Sequence, residues 1–358
     1  MLSQLSIENF RNISAMSLSL TGGLTAFTGD NGAGKTSVLD AVHLLGMGKP
    51  FSTHRIDNII QRDAKAVQVV GRLSIPTKTV VGVRRNRGGS GEARISGVPV
   101  KTLSELAKAL PLVVVNADTL NVVRDGPEGR RKFIDSFVFH VEHNFAQTSR
   151  RYFYALKQRN ALLRDRRTAD DAVWVQDLAS TGELLVAARE RAMGALAKAL
   201  QGVLADMNVS LPEWQLIQRP GWSAGASLLG ALNNAANSDR QRGFTQVGPH
   251  RGDVMFQVEG LPAHEVLSRG QMKLLMAATK LAQARVIRFE SEVSPVLLVD
   301  DVAAELDTEN AAGLFETIVS DGFQVFATMV DAKGASAWTQ NRLSNVFHVE
   351  HGTITESN

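Results

Sequence analysis

The stretch from Phe27 to Val42 combines glycines, a lysine and hydroxyl side chains at a spacing that suits phosphate binding. Gly29, four further residues and then Gly34-Lys35-Thr36 match the phosphate-loop pattern. Glycines let backbone N–H groups turn toward an anion, and the start of the next helix adds the positive end of its dipole. The pattern predicts that Lys35 binds the outer phosphates of a nucleotide and that the Thr36 hydroxyl is a ligand of Mg²⁺.

The segments on both sides of the loop carry the context that this pattern requires. Residues 24–27 form a short apolar run that predicts a strand, and residues 37–45 carry apolar side chains at helical spacing. Strand, loop and helix in this order favour nucleotide binding over a glycine-rich surface turn. The predicted nucleotide contacts in the loop are Gly29, Asn31, Gly32, Ala33, Gly34, Lys35, Thr36 and Ser37.

Two adjacent acids, Asp300 and Asp301, supply the second element that a phosphate loop needs. They follow residues 295–299, whose consecutive apolar side chains suit a parallel strand buried on both faces. Ligands bind at the carboxyl ends of such strands. We therefore expect Asp300 to hold Mg²⁺ through water and Asp301 to polarise the attacking water. The alternative is a buried strand that ends in a solvated acidic turn.

Composition narrows the class of protein. The chain has 358 residues, 44% of them hydrophobic, which suits two domains or one domain with a large insertion. It has no cysteine, so disulfides and thiolate metal sites are excluded and a reducing cytoplasm is the expected location. We expect no signal peptide and no membrane span, because no apolar stretch approaches roughly 20 residues. The net charge of +3 does not by itself indicate nucleic-acid binding.

A third motif, LSRGQ at residues 267–271, precedes a predicted helix near 271–288. Ser268 is a good N-cap, and an N-cap by itself has no catalytic meaning. This motif, followed by an apolar strand that ends in two acids, resembles the signature of ABC-type ATPases. In that family the signature serine binds the γ-phosphate of a nucleotide held by a second subunit, which implies a catalytic role for Ser268. Residues 304–307 then lie where the family has its D-loop.

Further motifs make the resemblance more specific. Residues 7–12 (IENFRN) look like the start of SMC-like DNA-repair ATPases, but no heptad run of a long coiled coil separates the phosphate loop from the signature. Together with the motifs at 126–135, 156–160 and 248–251, this arrangement resembles the RecF family over nearly the whole chain. The resemblance adds Arg11 and Asn12 to the expected nucleotide contacts.

The resemblance implies an α/β fold, in which a mainly helical arm is inserted into an ABC-type ATPase head. We expect the halves of the head at 1–110 and 241–358 and the arm at 111–240. The implied ligands are ATP, Mg²⁺ and double-stranded or gapped DNA. The implied function is that of an ATP-dependent homodimer with weak, DNA-stimulated ATPase activity used as a switch. It would act with RecR and RecO to load RecA at single-strand gaps in DNA replication, repair, recombination and the SOS response.

Two segments depart from the expected patterns. RecF-like chains usually have Pro-Glu or Pro-Asp after the strand predicted at 111–115, whereas this chain has Asn116-Ala117-Asp118. ABC transporters place a histidine after their last sheet strand, whereas residues 327–330 contain none, and Thr328 is a candidate for a γ-phosphate sensor there. The alternative function is a soluble ABC-type ATPase that serves another complex, such as a transporter subunit or a nuclease partner. The missing histidine and the missing aromatic platform for adenine before the phosphate loop argue against a transporter subunit.

Basic residues are concentrated in one part of the expected arm. Between Arg124 and Arg167 there are eleven Lys/Arg and five Asp/Glu, and aromatic residues at 152–154 lie among them. This pattern predicts contact with a DNA backbone, and a solvated helix face is the alternative. A second basic group precedes a glycine-rich hairpin tip at 88–91. The candidate DNA-binding residues are Arg130, Arg131, Lys132, Arg84 and Arg85.

Overall fold

The computed structural model describes residues 1–75, 78–165, 171–302, 305–330 and 343–356. The chain divides into two compact units. Unit 1 comprises Met1–Leu120, Gly202–Val209 and Lys273–Asn358, and unit 2 comprises Asn121–Gln201 and Ser210–Met272. These breaks lie near 120 and 272, whereas the sequence placed the ends of the arm at 111 and 240.

Strands and helices are numbered in chain order. The strands are β1 (Leu2–Phe10), β2 (Ile13–Ser19), β3 (Leu24–Thr28), β4 (Ala66–Leu73), β5 (Thr79–Asn86), β6 (Gly91–Ile95), β7 (Val98–Pro99), β8 (Leu112–Val115), β9 (Trp214–Arg219), β10 (Asp253–Val258), β11 (Leu261–Pro262), β12 (Val296–Val299), β13 (Gln324–Met329), β14 (Leu343–Glu350) and β15 (Thr353–Glu356). The helices are α1 (Lys35–Met47), α2 (Leu103–Ala109), α3 (Ala117–Leu120), α4 (Pro127–Val141), α5 (Phe145–Arg164), α6 (Ala172–Asp206), α7 (Leu228–Arg242), α8 (Ala263–Val266), α9 (Arg269–Ser291) and α10 (Thr308–Ser320).

The first sheet of unit 1 is built around parallel strands. Its order is β15-β14-β3-β13-β12-β8, and all neighbours from β14 to β8 run parallel. Every residue of β3, β12 and β13 is buried, as expected for strands covered on both faces. The carboxyl ends of β3, β12 and β13 therefore lie side by side at one edge of the sheet, which is where ligands bind in such folds.

The second sheet of unit 1 is antiparallel, with the order β2-β1-β4-β5-β6-β7. Helix α1 contacts strands of both sheets, and nearly all of its residues from Lys35 to Gly46 are buried. Its apolar side chains join those of β1, β4 and β5 in one hydrophobic core. The helix begins after Gly34 and ends at Gly48, whose left-handed backbone (φ 68°) suits glycine.

Unit 2 contains helices α4, α5 and α7, most of α6 and the three-stranded antiparallel sheet β11-β10-β9. Buried ion pairs connect these elements. Arg159 of α5 is fully buried and donates to Asp239 of α7 at 2.7 Å. Arg189 of α6 donates with two nitrogens to Asp135 of α4. The described helices include none that is long and apolar enough to cross a membrane.

From the sequence we expect a polar loop at 221–242 with one short helix near 228–232, followed by a strand at 244–247, and the structure corrects both expectations. Residues 244–247 are irregular, and the predicted strand there is wrong. The backbone N–H of Thr245 donates instead to the Asn160 side chain, and that of Gln246 donates to Asp239, so side chains replace a strand partner. Strand β9 was not predicted, and α7 is longer than the short helix expected at 228–232.

Candidate nucleotide-binding site

The predicted phosphate loop connects β3 to α1, as the pattern requires. Gly29, Gly32 and Gly34 have φ angles of 139°, 84° and 118°, a region that side chains disfavour. A Cβ atom on Gly29 would lie 2.2 Å from the carbonyl oxygen of Val349, and one on Gly34 would lie 2.7 Å from the Asn12 side chain. Positive φ and close neighbours thus both require glycine at these two positions.

Lys35 lies inside this loop. Its buried Nζ donates to the carbonyl oxygens of Gly29 at 2.5 Å and Asp30 at 3.1 Å. These bonds hold the ammonium group next to the start of α1, where backbone N–H groups point out of the helix. The lysine and the helix terminus together form a positive, concave site that suits the outer phosphates of a nucleotide.

Asp300, at the end of β12, receives hydrogen bonds from two hydroxyl groups. Thr36 Oγ1 lies 3.0 Å from Oδ1 of Asp300, and Thr328 Oγ1 lies 2.8 Å from the same oxygen. Burial raises the pKa of Asp300, and the carboxylates of Asp301 and Asp40 raise it further, while the two hydroxyl hydrogen bonds oppose the shift. A cation at this position would remove the cost of the buried negative charge.

The predicted metal ligands are therefore adjacent. Thr36 and Asp300 offer a hydroxyl and a carboxylate oxygen, which are the ligand types that Mg²⁺ prefers. Within the described part of the chain, no three or more His, Cys, Asp or Glu side chains form a group that could hold a metal ion. These two residues fit a Mg²⁺ ion that keeps waters and phosphate oxygens in its remaining positions.

Asp301 has an exposed side chain and an unusual backbone. Its φ is 51°, in the left-handed region, and its N–H donates to Thr328 Oγ1 at 2.9 Å. The buried hydroxyl of Thr328 therefore accepts from Asp301 and donates to Asp300. This side chain orients the carboxylate of Asp300 and holds the backbone of Asp301, a structural role that the sequence did not reveal for Thr328.

Asn12 and Arg11 contact the loop and its helix. Asn12 Nδ2 donates to the carbonyl oxygen of Ala33 at 2.8 Å, and Asn12 Oδ1 accepts from the Ser37 hydroxyl at 3.4 Å. Arg11 forms an ion pair of 2.8 Å with Asp40, which is fully buried in α1. Asn12 thus supports the phosphate loop, while Arg11 neutralises a buried acid of the helix that follows.

The role of Asp40 was not predicted from the sequence. Its Oδ1 accepts from the backbone N–H groups of Phe51 at 2.9 Å and Ser52 at 3.1 Å, and its Oδ2 accepts from the Ser52 hydroxyl. These bonds tie α1 to the segment that follows it. An acid in an otherwise apolar helix was the available signal, because such a group must find partners when it is buried.

Ser268 caps helix α9 in a reciprocal arrangement. The backbone N–H of Gln271 donates to Ser268 Oγ at 3.2 Å, and the N–H of Ser268 donates to Gln271 Oε1 at 2.9 Å. This is a capping box, and both residues of it belong to the signature motif. Further along α9, Lys273 forms an ion pair of 2.5 Å with Glu305 of the expected D-loop. Ala304 lies outside the described residues, and Asp307 caps α10.

The candidate DNA-binding residues fall into two groups by their partners. Arg130 donates with two nitrogens to the carboxylate of Asp253, and Arg131 Nη1 donates to the carbonyl oxygen of Gly252. Burial lowers the pKa of Arg131 and of Arg85, and Arg85 donates twice to the carbonyl oxygen of Gly48. These three arginines stabilise the fold. Lys132 and Arg84 are exposed, although Lys132 pairs with Glu128 on the same helix.

Known proteins resemble this chain over its full length. The family described as RecF/RecN/SMC N terminal domain matches residues 1–355. A protein of Chromohalobacter salexigens named DNA replication and repair protein RecF is 39% identical over 357 residues, which is 99% of both chains. A Pseudomonas aeruginosa protein of the same name is 35% identical and matches 99% of this chain and 98% of its own length.

Solved structures share the fold. The recombination mediator RecF with ATP has a TM-score of 0.87 at 23% identity, covering 100% of this chain and 97% of that chain. An SMC head bound to the C-terminal winged-helix domain of ScpA has a TM-score of 0.59 at 16% identity, covering 99% and 96%. The predicted α/β fold with an ABC-type ATPase head is thereby confirmed.

Proposed function

The chain belongs to the RecF family, as its motifs predicted, and we propose that it is an ATP-dependent, DNA-binding recombination mediator. In this proposal it binds ATP with Mg²⁺, forms a homodimer around the nucleotides and acts with RecR and RecO to load RecA at single-strand gaps. One observation supports the proposal above all others. The phosphate loop after β3 holds Lys35, and Thr36 next to it donates to Asp300, which follows β12.

ATP binding rests on the phosphate loop. The positive φ angles of Gly29 and Gly34 leave the loop backbone open to a ligand, and Asn12 holds the loop from the side through Ala33. Lys35 donates to two carbonyl oxygens of the loop, and these bonds hold its ammonium group inside the loop. When a nucleotide binds, phosphate oxygens would replace these carbonyl oxygens as acceptors. The remaining loop residues, Asn31 and Gly32, are exposed and border the same concave surface.

The metal is assigned to Thr36 and Asp300. When bound, Mg²⁺ would neutralise charge on the phosphate oxygens. The protein's own part is to keep the Asp300 carboxylate oriented, and the two hydroxyls that donate to it do this. Asp301 is the proposed group that orients the attacking water, because its carboxylate is exposed beside Asp300 while its backbone is fixed by Thr328.

The switch is assigned to the signature motif. Ser268 and the first turn of α9 present a hydroxyl and a helix N-terminus, a combination that suits a phosphate group. We propose that each chain of a dimer offers this surface to the nucleotide on its partner. ATP then joins the two chains, and loss of the γ-phosphate relaxes the dimer.

Light scattering of the purified protein with ATP, with ADP and without nucleotide tests this function. We expect a dimer with ATP and a monomer in the other two conditions. Cosedimentation with duplex DNA, with and without ATP, separates the proposal from a soluble ABC-type ATPase subunit that serves another complex. A protein that binds ATP and dimerises but does not cosediment with duplex DNA under any condition would belong to that second class.

A further inference from the structure

Helix α5 exposes an aromatic and basic stripe that the nucleotide site does not use. Four residues form this α5 stripe, Arg150, Phe153, Tyr154 and Lys157, and all four are exposed. Their spacing of three, four and seven positions from Arg150 places them on one face of the helix. About 10 Å of helix separates the two cations, so the aromatic rings lie between them.

The two rings are exposed to an extent that packing does not explain. Phe153 is 46% and Tyr154 is 57% exposed, whereas Tyr152 of the same helix is 1% exposed. Each exposed ring is nevertheless held by a neighbour. Tyr152 contacts Phe153 edge to face, with ring centroids 5.4 Å apart, and Trp174 of α6 contacts Tyr154 in the same way at 5.8 Å. The rings are therefore oriented before any ligand arrives.

The two cations of the α5 stripe are not neutralised by any acidic side chain that the structure describes. Among the described residues, no ion pair engages Arg150 or Lys157, while the neighbouring Arg151 is paired with Asp177. An anionic ligand would meet two cations and, between them, two flat apolar surfaces. Apolar surface of this kind beside charge marks an interaction site.

We propose that the α5 stripe binds a single-stranded nucleic acid, with unpaired bases stacked on Phe153 and Tyr154 and backbone phosphates on Arg150 and Lys157. Unpaired bases offer their faces to aromatic side chains, and cations on either side bind the backbone. A duplex hides its base faces, so it would use the cations and leave the rings in water. An acidic peptide would likewise engage only the cations.

This inference deepens the proposed function, on which it rests, by naming unpaired bases as one part of the DNA that the protein binds. The test is fluorescence anisotropy of the full-length protein with three labelled probes of equal length: oligothymidine, an abasic oligonucleotide and a blunt duplex. The abasic probe keeps the phosphates and removes the bases. The variants are Phe153→Leu with Tyr154→Leu, and the matched control is Leu184→Ala, an exposed apolar residue of α6.

We expect the parent protein to bind oligothymidine more tightly than the abasic probe, by about tenfold for each stacked base. The double variant should bind oligothymidine no more tightly than the abasic probe, and its affinities for the abasic probe and the duplex should equal those of the parent. The control variant should keep the parent's affinity for all three probes. Lys157→Gln should instead reduce the salt dependence for every probe, and Lys198→Gln, an exposed lysine of α6, should not.

Equal affinity of the parent for oligothymidine and the abasic probe would overturn the inference, and so would an equal loss on all probes in the double variant. Binding of oligoglutamate to the parent as tightly as oligothymidine of equal charge would identify an acidic protein as the ligand, and would also overturn it. If the double variant melts at a lower temperature than the parent, the same three affinities are measured with Tyr154→Leu alone, and that result decides the test. Failure of the proposed function would appear separately, as absence of the ATP-dependent dimer.

Discussion

The hydroxyl of Thr328 lies 2.8 Å from Oδ1 of Asp300, and this contact joins the carboxyl ends of two neighbouring parallel strands. Thr328 Oγ1 also accepts the backbone N–H of Asp301 at 2.9 Å. One buried hydroxyl group thus contacts both the carboxylate of the proposed metal ligand and the backbone of the proposed water-orienting acid. Thr328 is buried, and its small side chain reaches both residues from within the sheet.

Thr328→Val should impair ATP hydrolysis without abolishing ATP binding. Valine keeps the shape of threonine but removes the acceptor of the Asp301 N–H and one of the two hydroxyl donors to Asp300 Oδ1, and each of these bonds is worth about 1 kcal/mol or more when buried. We expect turnover to fall about tenfold or more. Turnover and the affinity for a fluorescent ATP analogue are measured in parallel. Thr328→Ser, which keeps the hydroxyl, should stay close to the parent; if Val and Ser behave alike, the hydroxyl has no role in positioning.

Lys35→Ala should abolish tight ATP binding. The ammonium group is the only cation of the phosphate-loop motif, and alanine also removes the bonds to the carbonyls of Gly29 and Asp30. We expect the affinity for ATP to fall by at least about a hundredfold, as for a charge-assisted contact that is lost in a buried site. Titration with a fluorescent ATP analogue measures it. Binding equal to that of the parent would remove the phosphate loop from the proposal.

Arg130→Glu should destabilise the fold, whereas Lys132→Glu should not. Arg130 is paired through two nitrogens with Asp253, and both side chains are largely buried. Breaking such a pair costs about 3–5 kcal/mol, while an exposed pair within a helix, such as that of Lys132, contributes little because water screens it. Urea unfolding of both variants measures the difference. Equal stability of the two would mean that the Arg130 ion pair does not form in solution.

Motif spacing predicted which residues of the candidate nucleotide site lie together, because a phosphate loop and an acid-terminated strand constrain their surroundings strongly. Asp300 and Thr36 are far apart in sequence, yet the order of the parallel strands brings them together. The partners of single arginines could not be predicted in this way. Arg130 and Lys132 are two positions apart in one basic run, and only the tertiary packing of β10 decides that Arg130 is buried against Asp253.

Residues 244–247 illustrate the same limit for secondary structure. Their composition suits a strand, but the side chains of Asn160 and Asp239 occupy the backbone N–H groups that a strand partner would use. Such bonds depend on residues that are distant in sequence, and local patterns do not contain them. The basic stretch of α5 was identified from composition, while the exposure of its rings required the structure.

The free energy of unfolding should decrease as the pH drops from about 6.5 to 4, and His250 should contribute to this decrease. Burial lowers the pKa of His250 to about 4 from its ordinary value of 6.5, and the charges of Arg251 and Arg131 lower it further. With this pKa the ring is neutral at pH 7, so Nε2 donates to the carbonyl of Thr245, which can only accept, and Nδ1 accepts from the Tyr152 hydroxyl. The unfolded chain binds the proton first as the pH falls, which favours unfolding throughout this window.

The contribution of His250 is measured by thermal melting between pH 7 and pH 4. We expect His250→Gln to be less stable than the parent at neutral pH but to lose less stability toward pH 4. His43, whose pKa burial also lowers to about 4, remains in both proteins and gives the background slope. Parallel melting curves for parent and variant across the range would show that His250 does not titrate between the two states.

Ser268 can act both as a helix cap and as a phosphate ligand, and a single variant would not distinguish these two roles. As an N-cap it stabilises α9 through the N–H of Gln271, and as a signature serine it would bind the γ-phosphate on a partner chain. Ser268→Asp separates these roles, because aspartate is an equally good cap but repels a phosphate. We expect this variant to bind ATP and to melt like the parent, yet to remain monomeric with ATP and nearly inactive as an ATPase.

Two controls complete this test. Ser268→Thr keeps both the cap and the hydroxyl, so it should dimerise with ATP and hydrolyse it. Ser268→Arg fills the phosphate surface and removes the cap, so it should fail to dimerise and also lose about 1 kcal/mol of stability. Light scattering with ATP, a hydrolysis assay and thermal melting distinguish the three variants. Dimerisation and normal turnover of Ser268→Asp would refute the shared site, because a serine that serves only as a helix cap is replaced by aspartate without consequence.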